Sequence, residues 1–149
     1  MKSLIVFSIA TTLLFSCAGS ADKKVPELAN DMCGCFDKMQ QSYSPDVIKL
    51  LNEVSVAADP QSVLTAGMMK LKTEDAKKLA ESLGEMGNKN SEVFKCMEAF
   101  DKKHEKETTA NRTELTEKLL VQMQANGNCN TGAAIVNLGL SKQKKLAKN

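Results

Sequence analysis

The sequence predicts an all-α protein, a compact bundle of about five to seven helices stapled by disulfide bonds. Helix-forming residues, chiefly Ala, Leu, Lys, Glu, Gln and Met, fill most of the chain, and runs of β-branched residues are few. Apolar residues recur at helical spacing between short turns. A chain of 149 residues is long enough for one hydrophobic core and too short for two separate domains.

The chain begins with the pattern of a secretory signal peptide. Met1-Lys2-Ser3 provides a short positive segment, and residues 4–15 (LIVFSIATTLLF) are apolar. A helix of that length would measure about 18 Å, whereas the hydrocarbon core of a bilayer is about 30 Å thick. We therefore predict a signal peptide over residues 1–16 rather than a membrane-spanning helix.

The next residues carry a resemblance to a known family. Leu14-Phe15-Ser16-Cys17 resembles the lipobox of bacterial lipoproteins, although the strict form has a smaller residue than Phe15. The resemblance implies cleavage after Ser16 and diacylation of the Cys17 sulfur, which would attach the protein to a membrane. Ala18, rather than Asp, follows Cys17. By analogy with lipoprotein sorting in bacteria with two membranes, this implies the outer membrane.

Residues 17–25 are small and polar, and we predict that they form a flexible tether between the lipid and one helical domain, residues 26–149. Pro26 suits the first position of a helix. The predicted first helix has one apolar face, made of Leu28, Met32, Cys35, Phe36, Met39 and Tyr43.

Two prolines mark the starts of the next helices. Ser44-Pro45-Asp46 predicts a second helix with Ser44 as its N-cap, and Asp59-Pro60 predicts a short third helix in the same way. Thr73 is predicted to cap the fourth helix. The apolar face of the second helix contains Val47, Ile48, Leu50, Leu51, Val54 and Ala58.

Residues 74–107 allow two interpretations. Residues 87–90 (GNKN) favour a break, yet apolar residues on both sides keep one helical phase, so one long helix and two shorter ones are equally favoured. The charged run 101–107 (DKKHEKE) is typical of a solvated helix face, and we expect His104 to be exposed on it.

The C-terminal part predicts two more helices. The first carries Leu115, Leu119, Leu120 and Met123 and ends at Asn126-Gly127 with a left-handed cap. Cys129 is predicted in the turn that follows, and a last helix leads into the lysine-rich tail, residues 142–149. We expect these lysines either to complement the negative end of a helix or to be disordered.

Export makes disulfide bonds the expected state of the four remaining cysteines, Cys33, Cys35, Cys96 and Cys129. On one helix Cys33 and Cys35 point about 200° apart, which makes a bond between them geometrically poor. Two pairings remain open: Cys33–Cys96 with Cys35–Cys129, or Cys33–Cys129 with Cys35–Cys96. A metal site is disfavoured because the chain has one histidine and lacks paired Cys-x₂-Cys motifs, so we predict no metal and no cofactor.

Composition bears on function mainly by exclusion. A formal net charge of +2 and few aromatic residues argue against a nucleic-acid partner. The sequence has no Gly-rich phosphate loop and no nucleophile elbow, so we predict that the protein is not an enzyme. It is similar to small helical lipoproteins of Gram-negative envelopes. We predict a lipid-anchored envelope protein that serves as an interaction or structural module for another envelope protein. The alternative is a carrier of a small apolar ligand in a cavity of the bundle.

Overall fold

A computed structural model describes residues 19–106 and 112–147, and this part of the chain is helical with no strand. The prediction of an all-α fold is confirmed there. The number of helices exceeds the predicted range because the first predicted helix is in fact two. The helices are α1 (Gly19–Gly34), α2 (Asp37–Gln41), α3 (Pro45–Val56), α4 (Pro60–Met68), α5 (Thr73–Glu85), α6 (Glu92–Lys103), α7 (Arg112–Ala125) and α8 (Asn130–Leu146).

The first predicted helix differs from the structure at both ends. α1 begins at Gly19, so Pro26 lies inside the helix and residues 19–25 of the predicted tether are helical. Several of these residues are good helix formers. The prediction of a flexible tether gave more weight to their small size and polarity than to this helix propensity. α1 then stops at Gly34, and a tight turn at Cys35 and Phe36 separates it from α2. In this turn the Phe36 amide donates to the Cys33 carbonyl at 2.9 Å.

The helix starts show which predicted caps form. Ser44 caps α3 as predicted, because its hydroxyl accepts a hydrogen bond from the Val47 amide at 3.4 Å. Asp59 occupies the N-cap position of α4, but its carboxylate accepts a bond from the Ser62 hydroxyl instead of a backbone amide. The predicted Thr73 cap is wrong, since Thr73 is the first residue of α5 and Lys72 precedes it as N-cap.

Of the two interpretations for residues 74–107, the structure shows two helices. α5 ends at Glu85 and α6 begins at Glu92. The Ser91 hydroxyl accepts a hydrogen bond from the Phe94 amide at 3.1 Å and donates one to the Glu85 carbonyl at 2.7 Å. One side chain therefore caps the new helix and contacts the end of the old one.

The hydrophobic core consists of two adjoining clusters that share α8. The first joins α1, α6 and α7 and includes Leu28, Phe100 and Met123. The second joins α3, α4 and α5 around Leu51 and Leu79. The start of α8 is made of small buried residues, of which Ala133 belongs to the first cluster and Ala134 to the second. α8 is thus the helix on which both halves of the domain pack.

Polar side chains secure α8 against α3. The Asn137 amide donates hydrogen bonds to the Val54 and Ala57 carbonyls, each at 2.9 Å, at the C-terminal end of α3. The Val54 carbonyl also accepts a bond from the Ala57 amide at 3.3 Å. From α7, the Gln124 amide donates to the Ser55 carbonyl at 2.6 Å. These three side-chain bonds fix the position of the α3 C-terminus.

The C-terminal region also departs from its prediction in detail. Gly127 has no positive φ, so the predicted left-handed cap is wrong. The Asn126 side chain instead accepts a hydrogen bond from the Asn128 amide at 3.2 Å. α8 extends to Leu146, which makes most of the predicted tail helical, while residues 148–149 lie outside the described part. Among the helices of the described ranges, none combines the length and the apolarity needed to cross a membrane.

Candidate functional site

Four of the five cysteines form two disulfides at the end of α1. Cys33 is bonded to Cys129, with 5.4 Å between their Cα atoms, and Cys35 is bonded to Cys96, with 5.5 Å. The structure thus selects one of the two pairings left open by the sequence, and the predicted disulfides are confirmed. Cys17 and the signal peptide lie outside the described residues, so the lipid attachment stays a prediction.

The two disulfides have different surroundings. Cys33 and Cys129 are buried in the first core cluster, at 7% and 2% exposure. Gln40 holds the chain on both sides of Cys129, since its amide donates to the Asn128 carbonyl at 2.6 Å and its oxygen accepts from the Thr131 amide at 3.1 Å. Cys35 and Cys96, in contrast, are only partly buried.

A cavity of about 390 Å³ lies against the Cys35–Cys96 bond, between the α1–α2 turn and the facing parts of α5 and α6. Lys38 and Glu92 line it, and their Nζ and Oε2 atoms are 2.7 Å apart. The hydrogen bond to Glu92 raises the pKa of Lys38, and the same bond lowers the pKa of Glu92. Both side chains are largely exposed, so this pair adds little to stability.

A second and larger cavity of about 670 Å³ is an open groove between α4, α5 and α8, which we call the α8 groove. Its apolar wall is formed by the partly or fully buried side chains of Leu64, Leu83, Met86, Ile135 and Leu138. Along α8, Gly139 lies between the apolar residues and a rim that contains Gln61, Ser141, Lys142 and Lys145 together with the exposed Leu146 side chain.

The α8 groove is chemically different at its two ends. Ile135, Leu138, Lys142 and Lys145 recur at helical spacing and therefore lie along one face of α8. From Ile135 to Lys145 the helix rises about 15 Å, at about 1.5 Å per residue. The apolar wall thus passes into a cationic end over a distance comparable with the length of a short acyl chain.

The lysines of α8 are held in different ways. Lys145 pairs with Asp59 across the cationic end of the groove, at 3.3 Å, and both side chains are more than half exposed. Lys144 points elsewhere and pairs with Glu117 at 2.8 Å. The Lys142 side chain is exposed, and its ammonium group forms no hydrogen bond or ion pair with the other residues that the structure describes. Of the two lysines that line the groove, Lys145 pairs with Asp59, whereas the charge of Lys142 has no direct partner.

His104 is buried, contrary to the prediction. It is 6% exposed, and its Nε2 lies 2.8 Å from Asp31 Oδ2 in α1. Lys103 donates to the same oxygen at 2.6 Å, and hydrogen bonds from Lys103 first and His104 second lower the pKa of Asp31. α6 ends at Lys103, and the His104 ring lies 4.9 Å from the buried ring of Phe100.

These observations leave two candidate sites, the cavity at Cys35–Cys96 and the α8 groove. No cluster of three or more metal-ligating side chains occurs in residues 19–106 and 112–147. Comparison with protein-family models, with curated proteins and with solved structures finds no match to this chain.

The sequence contained part of the signal for the groove. Leu138 fits the apolar face of the last helix, and Lys142 and Lys145 were assigned to the tail. A glycine in the middle of a helix is unfavourable, and Gly139 stands between these two groups. The residues of α4 and α5 that line the other side of the groove are brought there by tertiary packing. The sequence of α8 does not predict them.

Proposed function

We propose that this protein is a lipid-anchored envelope protein that binds a single-chain amphiphile with an anionic head group, of the fatty-acid class, in the α8 groove. The Cys17 anchor and the outer-membrane location are part of the proposal and are supported by the lipobox resemblance at Leu14–Cys17. The observation that favours ligand binding is the passage from an apolar wall to a cationic rim along one face of α8.

The apolar part of the groove suits a hydrocarbon chain. Its volume of about 670 Å³ lies in the range of small-molecule sites, roughly 300 to 1,000 Å³. Leu83 of α5 and Met86, just after its end, line the groove together with Ile135 and Leu138 of α8. Each buried CH₂ group of a ligand would contribute about 0.8 kcal/mol, and the flexible Met86 side chain can adjust to the chain that enters.

The cationic end suits an anionic head group. Lys142 has its ammonium group available at the rim, and Lys145 is held there by the exposed Asp59 carboxylate. A carboxylate or phosphate head would pair with Lys142 and share Lys145 with Asp59. The polar side chains of Gln61 and Ser141 lie at the rim as further hydrogen-bonding groups.

Gly139 keeps the middle of the groove open. A Cβ atom built there would have no other atom within 4 Å apart from those of its own helix and chain neighbours. A larger side chain at this position would therefore extend into the groove without displacing the core. Gly139 is the position at which ligand binding can be blocked with the least effect on the fold.

The test is the binding of a fluorescent C12 fatty acid to the purified mature domain. Gly139→Phe should weaken binding by more than about tenfold, whereas Gly139→Ala should bind within about twofold of the parent chain. Lys142→Glu should weaken binding of the fatty acid, and Lys144→Glu, on the same helix but outside the groove, should not. Equal binding by all four variants would refute the proposal.

A second candidate is the interaction module that the sequence favoured. It is supported by Val121 of α7, which is 65% exposed and borders a shallow depression together with Val25 and Pro26 of α1. Isolated exposed apolar residues are common on monomeric proteins, so this surface supports a partner less strongly than the groove supports a ligand. A photo-crosslinker at residue 121 should capture an envelope protein in intact membranes if this second function holds.

A further inference from the structure

The two disulfides near the end of α1 differ in their accessibility to solutes. The Cys33–Cys129 bond lies within the first core cluster, and Cys129 Sγ would be only 3.1 Å from a Cβ atom placed on Gly132. A reagent has no open path through packing of that density. Cys35 and Cys96 both line the cavity of about 390 Å³, which opens to solvent.

Three charged side chains line the cavity, Lys38, Glu85 and Glu92, and of these Lys38 favours a thiolate. Lys38 lies three residues along the chain from Cys35. A nearby lysine stabilises a cysteine thiolate, and a better-stabilised thiolate is a better leaving group in disulfide exchange. Lys38 pairs with Glu92, but both side chains are about four-fifths exposed, so the pair can open to solvent at little cost.

We propose that the Cys35–Cys96 disulfide is a thiol-exchange site, reduced by a dithiol that enters this cavity, whereas Cys33–Cys129 is a permanent cross-link. This inference is independent of ligand binding in the α8 groove. It gives the two cross-links of one small domain different roles, one that holds the fold and one that responds to the redox state of the surroundings.

The exchange proceeds in two displacements. A thiolate of the dithiol attacks one sulfur of the Cys35–Cys96 bond, that bond breaks, and the other cysteine leaves as a thiolate that takes up a proton. The second thiol of the reagent then displaces the attacked cysteine from the mixed disulfide. The dithiol loses two electrons and two protons and becomes a disulfide, and Cys35 and Cys96 become two thiols.

Opening this bond would loosen the start of α6 without unfolding the domain. α6 would remain packed through Val93 and Phe100 and through the contact of His104 with Asp31. The buried bond would still join α1 to the start of α8. The start of α6, together with the α5–α6 connection, would lose its covalent link to the α1–α2 turn.

The test is timed reduction of the native protein with dithiothreitol, followed by alkylation and peptide mapping. We expect Cys35 and Cys96 to be alkylated at least about tenfold faster than Cys33 and Cys129. Gly34 also lines the cavity, and a Cβ there has open space, so Gly34→Leu should slow reduction of Cys35–Cys96. Gly84→Leu, which also has open space but lies outside the cavity lining, is the matched control and should not slow it.

The relative reduction rates of the two disulfides in the unsubstituted protein are sufficient to test the proposal. Equal rates for the two bonds would show that both open only on global unfolding, and faster loss of Cys33–Cys129 would reverse the assignment. Either result overturns the proposal. A circular-dichroism spectrum of the singly reduced form should retain its helical signal, since the core contacts of α6 remain; loss of that signal would contradict the view that Cys33–Cys129 alone holds the fold.

Discussion

At the scale of single residues, Asp31 links two helices through one carboxylate oxygen. Its Oδ2 atom accepts hydrogen bonds from both Lys103 and His104, and these bonds connect the last turn of α1 to the end of α6. Lys103 is largely exposed and contributes mainly charge, whereas the His104 ring is buried against Phe100. The burial of His104 therefore depends on a carboxylate that accepts its ring N–H.

Asp31→Asn should destabilise the protein near neutral pH by about 1 to 2 kcal/mol, because a charged acceptor of two hydrogen bonds is lost. Its lowered pKa sets the pH dependence: folding favours the ionised carboxylate, so the contribution is present above the ordinary Asp value of 3.8 and is lost as the pH falls through the lowered pKa. Urea unfolding should therefore show a gap between parent and variant at pH 7 that shrinks below pH 3.8.

Asp101→Asn is the control for this prediction, since Asp101 is an exposed residue on the same helix as Lys103. It should unfold within about 0.5 kcal/mol of the parent at both pH values. A gap for Asp31→Asn that stays constant down to pH 2 would show that the effect of the substitution is steric and not due to its charge.

At the scale of one element, α8 contains two glycines with opposite surroundings. A Cβ on Gly132 would lie 2.7 Å from Met123 Cε and 3.0 Å from Phe36 Cδ2, both within the core. Gly132 therefore allows α8 to pack closely on α7 and on the α1–α2 turn. Gly139, seven residues later on the same helix, has open space where its side chain would be.

Alanine at these two positions should change stability in opposite directions. Gly139→Ala should stabilise the protein by about 0.5 to 1 kcal/mol, because it lowers the conformational entropy of the unfolded chain at no steric cost. Gly132→Ala gains the same entropy but overpacks a filled core, which costs about 1 to 3 kcal/mol, so its net effect should be destabilising. Thermal unfolding should show a higher melting temperature than the parent for Gly139→Ala and a lower one for Gly132→Ala. A similar rise in melting temperature for both would show that the core around Met123 relaxes freely.

At the scale of the whole molecule, the sequence predicted well what is local and less well what depends on distant packing. The apolar faces of α3 and α7 follow from helical spacing, and the N-cap of α3 follows from the Ser44 hydroxyl. The break at Cys35 and the burial of His104 do not follow from local spacing. Cys35 is bonded to Cys96 and His104 contacts Asp31, and each partner is more than 60 residues away along the chain. The α8 groove was missed for the same reason, since its walls come from α4, α5 and α8.

The disulfides also affect the stability of the whole domain. Removing each bond in turn distinguishes two contributions to the free energy of unfolding, the entropy of the unfolded chain and the packing around the bond. The bonds span 96 and 61 residues, so the chain-entropy model gives each about 4 kcal/mol and a difference below about 0.5 kcal/mol. Packing predicts a larger difference. Cys33 and Cys129 lie where α1 and α8 meet in the core, whereas Cys35 and Cys96 border a cavity that can accommodate a loosened side chain.

We therefore expect the Cys33→Ala/Cys129→Ala pair to lose more stability in urea unfolding than the Cys35→Ala/Cys96→Ala pair, by at least about 1 kcal/mol. The denaturant slope indicates whether the unfolded states are comparable, since losing a cross-link lets the unfolded chain expand. If the two double variants differ by less than about 0.5 kcal/mol, chain entropy accounts for both bonds. A larger loss for the buried pair would mean that Cys33–Cys129 stabilises the domain through the packing around it as well as through the loop it closes.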